Sequence, residues 1–489
     1  MPINNHEDDY DEWSPIWEKI EDAIAGQDKI KEKGEAYLPK LGGQSADDYK
    51  AYLQRAQYQN LSGRTMQIAL GQLFRKNPVV TGVDESLLDN IDLAGSNFIY
   101  YSKKIAREVL AYNRVGILCD YSDEQSRPFL TKFEAESIIN WRSEVIDGIK
   151  KLTLVVIEGE RCEIDPLDPY TEKDVKIWKE LYLEDNVYKT RDWHEVKDQG
   201  GNITYQVIEG SERTPLIKGQ VFNFIPFYFV TSNGITSHIS ASPMLDFVNI
   251  NLGHYVNYAD FENMLHWTGA KTIVTKGWGD KTFPIGGAVD CESASFLEAS
   301  SDSGLKDELR HKEELIAIMG SQLLSGKGRY VASAATSQIS SEGEYATLAD
   351  IANSLSYSMT QILKLLVEWA DGNPDEVNAE YNTDYQVAEI PQGRLTELSG
   401  ARDAGKISKQ TFYYNLNKYE FYPSNWTYED EQSEIEKDLA NDIAVRQKKI
   451  DSNVAGIMQA GIDKQKAQMT QNMPDDNMSM NGVTNGQQS

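Results

Sequence analysis

The chain has 489 residues, 40% hydrophobic and 25% charged, the mix of a folded protein long enough for about three domains. A formal charge of −28 excludes a uniformly basic nucleic-acid binder and leaves an acidic surface that keeps the protein soluble or an acidic wall that repels a polyanion. Three scattered cysteines, Cys119, Cys162 and Cys291, argue against a disulfide framework and a Cys-based zinc site and for a reducing compartment.

The opening "MPINNHEDDYDEW" is too acidic and polar for a signal peptide. Ser14 reads as a helix cap with Pro15 at the first helical position, and Trp13, Trp17, Ile20 and Ile24 follow at helical spacing on one buried stripe. A second helical run starts at Ser45, with Asp48 three residues on as a loose capping box. It is bent or divided at Gly63 and stops before Pro78. Residues 98–230 are mixed. "NFIYYSKKIAREVLAYNRVGILCDY" is a helix followed by a strand, and "KKLTLVVIEG", "NITYQVIEG" and "GQVFNFIPFYFV" are strands by their β-branched and aromatic content. The last of these holds Pro226 and is too short to span a bilayer.

After residue 236 the pattern becomes helical. Ser242 and Pro243 open a helix of roughly 26 residues, about 39 Å of rod, that closes at Gly269. A glycine-rich segment with short strands covers 270–304. A second helix, 305–324, carries Leu305, Leu309, Ile316, Met319 and Leu323 on one face. The loop 325–340 follows. Ser341 and Glu344 form a capping box ahead of a long helix, 341–371, in which Leu348, Ile351, Leu355, Met359, Ile362, Leu366 and Trp369 alternate by three and four, and Gly372 with Pro374 stops it. Residues 391–470 are helical again, with a capping box at Ser433 and Glu436, and 471–489 lack the apolar content to fold.

The loop, within "LLSGKGRYVASAATS", nearly matches a phosphate-binding loop. Five residues separate Gly320 from Gly326 where four are needed, Gly328 follows Lys327 where Ser or Thr belongs, and a helix leads in where a strand should. The six histidines, His6, His194, His238, His254, His266 and His311, form no metal-ligand spacing. Acidic pairs such as Asp165/Asp168 and Asp375/Glu376 are expected by chance among 76 acidic residues, and no Ser-hydrolase elbow is present. No catalytic residue, metal ligand or cofactor is expected.

The order helix, small glycine-rich module, helix, basic loop, long helix resembles the portal, or head-to-tail connector, proteins of tailed bacteriophages. Two stretches sharpen the resemblance: "YLPKLGGQSADDYKAYLQRAQYQNLSGRTMQIALGQLFRKNPVV" is similar to the opening of one portal subfamily, and "LGHYVNYADFENMLHWTGAKTIVTKG" to its stem-to-clip passage. The resemblance implies an α+β, mainly helical fold of wing, stem, clip and crown, assembled as a ring. On this chain the wing is 1–240, the stem helices 242–269 and 305–324, the clip 270–304, the tunnel loop 325–340, the long helix 341–371, the crown 372–470 and a disordered tail 471–489.

It also implies a non-enzymatic channel at the capsid vertex for packaging and ejecting double-stranded DNA. The partners implied are further copies in a ring, usually a dodecamer, the terminase large subunit, the major capsid protein, head-completion adaptor and tail proteins, and scaffold. The implied location is the virion, with assembly in the host cytoplasm and no membrane. Ser325, Gly326, Lys327, Gly328, Arg329 and Tyr330 become the DNA-facing tunnel loop: the glycines permit mobility, and each basic residue contributes one ring of positive charge. Outside this resemblance, the abundant acids and aromatics leave an acidic, aromatic-rich enzyme acting on carbohydrate or phosphate esters as the alternative.

Overall fold

The computed structural model describes residues 2–165, 168–197, 202–269, 272–276, 292–297, 303–324, 334–383, 385, 393–417, 421–422 and 426–471. The chain is α+β and divides into two compact units, Met1–Gln386 and Val387–Ser489.

The first unit opens with helices α1 (Asp8–Ala25), α2 (Gln27–Lys33), α3 (Ala46–Arg55) and α4 (Leu61–Leu73). α1 begins earlier than the Ser14–Pro15 pair suggests. Glu7 is the cap, its carboxylate accepting the Asp9 N–H at 2.8 Å, and Asp8, Asp9 and Asp11 place negative charge at the positive end of the helix dipole. Pro15 therefore lies inside the helix. Trp17 and Ile20 are fully buried, while Trp13 and Ile24 pack on the core from its edge. Ser45 caps α3 as expected: its hydroxyl accepts the Asp48 N–H at 3.2 Å.

The division after α3 falls at residues 56–60 and not at Gly63. Asn60 caps α4, with Oδ1 accepting the Gly63 N–H at 2.7 Å and Nδ2 donating to the Ile24 carbonyl at 2.9 Å. Gly63 is inside the helix because a Cβ there would stand 2.7 Å from that same Ile24 carbonyl and 2.6 Å from Asn60 Oδ1. Its glycine serves close packing, not a bend.

Next come β1 (Val79–Thr81), α5 (Glu85–Asp89), α6 (Phe98–Tyr112), β2 (Val115–Ser122), β3 (Arg127–Glu134) and β4 (Ile138–Ile146). The long strands β5 (Ile149–Asp165) and β6 (Asp168–Glu184) precede β7 (Val187–Lys197) and β8 (Ile203–Val207), and β4 to β8 form an antiparallel meander in chain order. The short pair β9 (Leu216–Ile217) and β10 (Gln220–Val221) leads to β11 (Phe227–Thr231) and β12 (Gly234–Ile235). Pro226 separates β10 from β11, so the apolar run there is two strands. A second sheet has the order β12-β11-β2-β3. Arg114, fully buried beside it, has its guanidinium 4.0 Å from the ring centres of Trp141 and Phe229 and donates to the Ser237 carbonyl at 2.9 Å.

The rest of this unit comprises α7 (Leu245–Gly269), β13 (Thr272–Lys276), β14 (Ser293–Leu297), α8 (Ser303–Leu324), α9 (Ala334–Trp369) and β15 (Asn378–Glu380), which pairs with β1. α7 starts at Leu245, a little after Pro243. The Ser242 hydroxyl still takes the Met244 N–H, at 2.9 Å.

α9 starts at Ala334, so Ser341 and Glu344 lie within the helix and do not cap it; the run "AATSQIS" before Ser341 holds no Gly or Pro to break it. All seven expected stripe residues from Leu348 to Trp369 are buried. α9 ends in a Schellman turn, with the Gly372 N–H donating to the Val367 carbonyl at 2.8 Å and Asp371 N–H to Glu368 at 3.2 Å. Asp371, not glycine, occupies the left-handed position at φ 63°.

The second unit contains α10 (Arg394–Asp403), α11 (Lys409–Asn417) and α12 (Tyr428–Gln471). Ser433 and Glu436 fall inside α12. The capping box is six residues earlier, where the Thr427 hydroxyl accepts the Asp430 N–H at 3.2 Å and the Asp430 carboxylate accepts the Thr427 N–H at 2.9 Å.

Candidate functional site

The block that sequence reasoning singled out is α7, the β13–β14 ribbon, α8, the loop and α9. The ribbon is antiparallel, from Thr272↔Leu297 to Lys276↔Ser293, so α8 returns alongside α7. The helices come close where Gly253 leaves room: Lys312 Nζ of α8 donates to the Gly253 carbonyl at 3.1 Å. On α8, Leu309 and Ile316 are buried and Met319 packs on the core, as their spacing predicts.

α7 is fixed to the N-terminal helices by its polar residues. Lys19 donates to Asn249 Oδ1 at 2.8 Å, the Tyr52 hydroxyl to Asp260 Oδ1 at 2.6 Å, and Arg55 to Asn263 Oδ1 at 2.9 Å. Burial and the Asp260 bond together hold the Tyr52 hydroxyl well above the ordinary tyrosine range.

Asn251, fully buried, is the centre of this contact. Its Oδ1 accepts the Ser62 N–H at 3.0 Å and the Ser62 hydroxyl at 2.8 Å, and its Nδ2 donates to the Gln59 carbonyl at 3.0 Å. The Tyr58 hydroxyl stands 2.9 Å from both Asn251 Oδ1 and the Ala23 carbonyl and can donate to one at a time. Ser62 is the second residue of α4, so its N–H is one of the helix-start donors without an intrahelical acceptor. α4 is thus capped twice, locally by Asn60 and from α7 by Asn251.

One turn along, His254 is fully buried. Its Nε2 lies 3.4 Å from Glu313 Oε1 without a hydrogen bond, and its ring stacks on Tyr258 at 5.9 Å. Burial pushes His254 below the ordinary histidine range, and the Glu313 carboxylate offsets only part of that.

Charge is unevenly distributed over the pair. α7 carries Asp246, Asp260 and Glu262 with no Lys or Arg, whereas α8 interleaves Lys306, Arg310 and Lys312 with Asp307, Glu308, Glu313 and Glu314. Ser325, Gly326, Lys327, Gly328, Arg329 and Tyr330 lie outside the described residues, as do Cys291 and the tail 472–489. The segment leading into the loop is the helix α8, not the strand that a phosphate-binding loop requires.

Cys119 is buried and Cys162 exposed, both as free thiols. Among the described residues no three His, Cys, Asp or Glu side chains come together in a way that could hold a metal ion, and no helix is long and apolar enough to cross a membrane. The anchoring residues Tyr52, Arg55, Asn251, Asp260 and Asn263 went unread in the sequence. The only signal was polar residues recurring on an otherwise apolar helix.

Residues 243–370 match the family model described as "Domain of unknown function (DUF4055)", a span running from the turn before α7 to the end of α9. No curated protein matches the sequence. Among solved structures, the chain is similar to one from the neck of the empty GTA particle computed with C6 symmetry (13% identity, TM-score 0.36, covering 77% of this chain and 94% of that one). It is similar to one from the virion of the native gene transfer agent (GTA) particle (11% identity, TM-score 0.37, 79% and 98%). It is also similar to one from the neck of the native GTA particle computed with C12 symmetry (12% identity, TM-score 0.37, 73% and 89%).

Proposed function

We propose that this chain is a portal-type structural protein of a tailed phage or a phage-like particle, a non-enzymatic subunit of a ring-shaped channel for double-stranded DNA at the capsid vertex. The observation that carries this reading is the block of α7, ribbon, α8, loop and buried α9, set on an α+β body. In the ring, α7 and α8 are the stem, the β13–β14 segment the clip, and α10 to α12 belong to the crown. The terminase that supplies chemical energy and the head-completion proteins dock on the clip, and the major capsid protein surrounds the wing.

Twelve copies at −28 each carry about −336, a field along which DNA slides without sticking. Lys327 and Arg329 then supply the weak, salt-sensitive phosphate contacts of the bore. Negative-stain imaging of the purified protein, with native mass measured on the same sample, tests the reading. Rings of about a dozen subunits around a central hole are expected. A compact dimer or tetramer with a closed interface and no central hole overturns it. Within assembled rings, Lys327→Glu with Arg329→Glu is expected to lower DNA packaging and leave ring mass unchanged; unchanged packaging removes the loop from the bore.

A further inference from the structure

α12 runs for 44 residues, and every residue from 435 to 468 is exposed. Along it stand Ile435, Leu439, Ile443, Ile450, Val454, Ile457 and Met458, all exposed, with Ile443 at 66% and Ile457 at 73%. At 3.6 residues per turn these seven fall within about 140° of one face. Val445 and Ile462 lie off it. A solvent-facing apolar stripe of this length is the mark of a helix that pairs with another.

Six of these seven are symmetric about the bond between Arg446 and Gln447, and Ile457 falls opposite Glu436. Laid antiparallel on a second copy, Ile435 meets Met458, Leu439 meets Val454, and Ile443 meets Ile450, each pair twice. Arg446 and Gln447, polar positions on the same face, flank the two-fold axis, where polar residues in the seam help to fix register.

Charge points the same way. Residues 429–442 hold seven acids and one lysine, while 443–466 hold five basic residues and two acids. A parallel pairing sets the acidic end on the acidic end, which like-charge repulsion disfavours. In the antiparallel register the acidic end meets residues 451–464, with two acids and one lysine, so the repulsion is smaller, although Asp451 and Asp463 fall opposite Asp442 and Asp430. Lys464 then lies opposite Glu429, and Lys448 lies within one turn of Asp442.

We propose that α12 is a self-association element that pairs antiparallel with α12 of a second copy of this chain, in a two-fold contact centred on Arg446 and Gln447. In a ring with one rotation axis, neighbouring copies of α12 run the same way, so this contact joins two unassembled chains or two rings. It does not rest on the channel reading.

The test uses the full chain with Cys162 and Cys291 replaced by Ser. Leu439→Cys and Val454→Cys chains are mixed under mild oxidation. The mixed disulfide is expected to dominate, because in the antiparallel register each residue faces the other and stands about 15 residues from its own copy, roughly 22 Å. In parallel, sedimentation of Ile443→Asp/Ile450→Asp is expected to show self-association at least tenfold weaker at unchanged helicity. Preferential Leu439–Leu439 crosslinking, which a parallel bundle gives, overturns the proposal. So does unaltered association of the double variant, or a parent chain that shows no concentration-dependent association.

Discussion

Asn251→Leu removes the side chain that joins α7 to the start of α4. The Ser62 N–H loses its acceptor in a fully buried setting, which costs about 1–3 kcal/mol. The Ser62 hydroxyl and the Gln59 carbonyl each lose one further bond, about 1 kcal/mol apiece. Tyr58 is spared, since the Ala23 carbonyl remains within 2.9 Å of its hydroxyl. Leucine matches asparagine in its number of side-chain heavy atoms, so no cavity forms, and the sum comes to about 3–5 kcal/mol. At 1.4 kcal/mol per tenfold, the opening that exposes α4 and the first half of α7 becomes at least about a hundredfold more frequent. Native-state hydrogen exchange reads this directly, as faster exchange at amides of both helices together and at the Ser62 amide above all. Less than a threefold change at Ser62 would refute the account of Asn251 as a second cap. Acceleration in α7 with α4 unaffected would show that the two helices are not coupled through it.

Gly63→Ala gains about 1 kcal/mol of helix propensity but forces a Cβ against the Ile24 carbonyl and the Asn60 cap, so a net loss of about 2 kcal/mol is expected in urea unfolding. A stabilised variant would mean that α1 and α4 yield without strain. His254 is held below the ordinary histidine range, so between its folded value and about 6.5 the unfolded chain binds the extra proton and the folded chain does not. Stability of the first unit should therefore fall as pH drops below about 6.5, and His254→Asn should flatten that slope; an equal slope in both proteins excludes His254 as its source. Thr427→Ala removes the hydroxyl that accepts the Asp430 N–H and is expected to cost about 1 kcal/mol. The change should appear as faster exchange in the first turn of α12 alone, and protection unchanged there would place the helix start elsewhere.

The sequence made the long elements readable because burial leaves a period behind. The seven stripe residues of α9, from Leu348 to Trp369, alternate by three and four and are buried, and the strand segments "VGILCDY" and "KKLTLVVIEG" announce themselves by β-branched content, whereas β6 and β7, in which charged residues interleave with apolar ones, were not read as strands. Helix starts were harder. Ser14 with Pro15, Ser341 with Glu344 and Ser433 with Glu436 each have the chemistry of a cap, yet each lies inside a helix. A cap motif states that a helix can begin there, and a neighbouring cap such as Glu7 or the Thr427–Asp430 box wins when it lies upstream on helix-competent residues. Gly63 was misread for a related reason: its role depends on the Ile24 carbonyl, 39 positions earlier in the chain. In the candidate block the order of parts was legible from composition. The Asn251 contact was not, because Asn251, Ser62 and Tyr58 are close only once α7 has folded back on α4.

The bonds from α7 to the N-terminal helices run from Asn249 to Asn263. That clamped length is about 21 Å of helix, and beyond it α7 continues to Gly269 and the ribbon. Mechanically this is a beam held over its first part, with the ribbon at its far end. A push on the ribbon is resisted as torque by Arg55–Asn263 and Tyr52–Asp260 at the mouth of the clamp, with Asn251 as the pin behind them. A weakened mouth softens the beam; a lost pin lets it pull out.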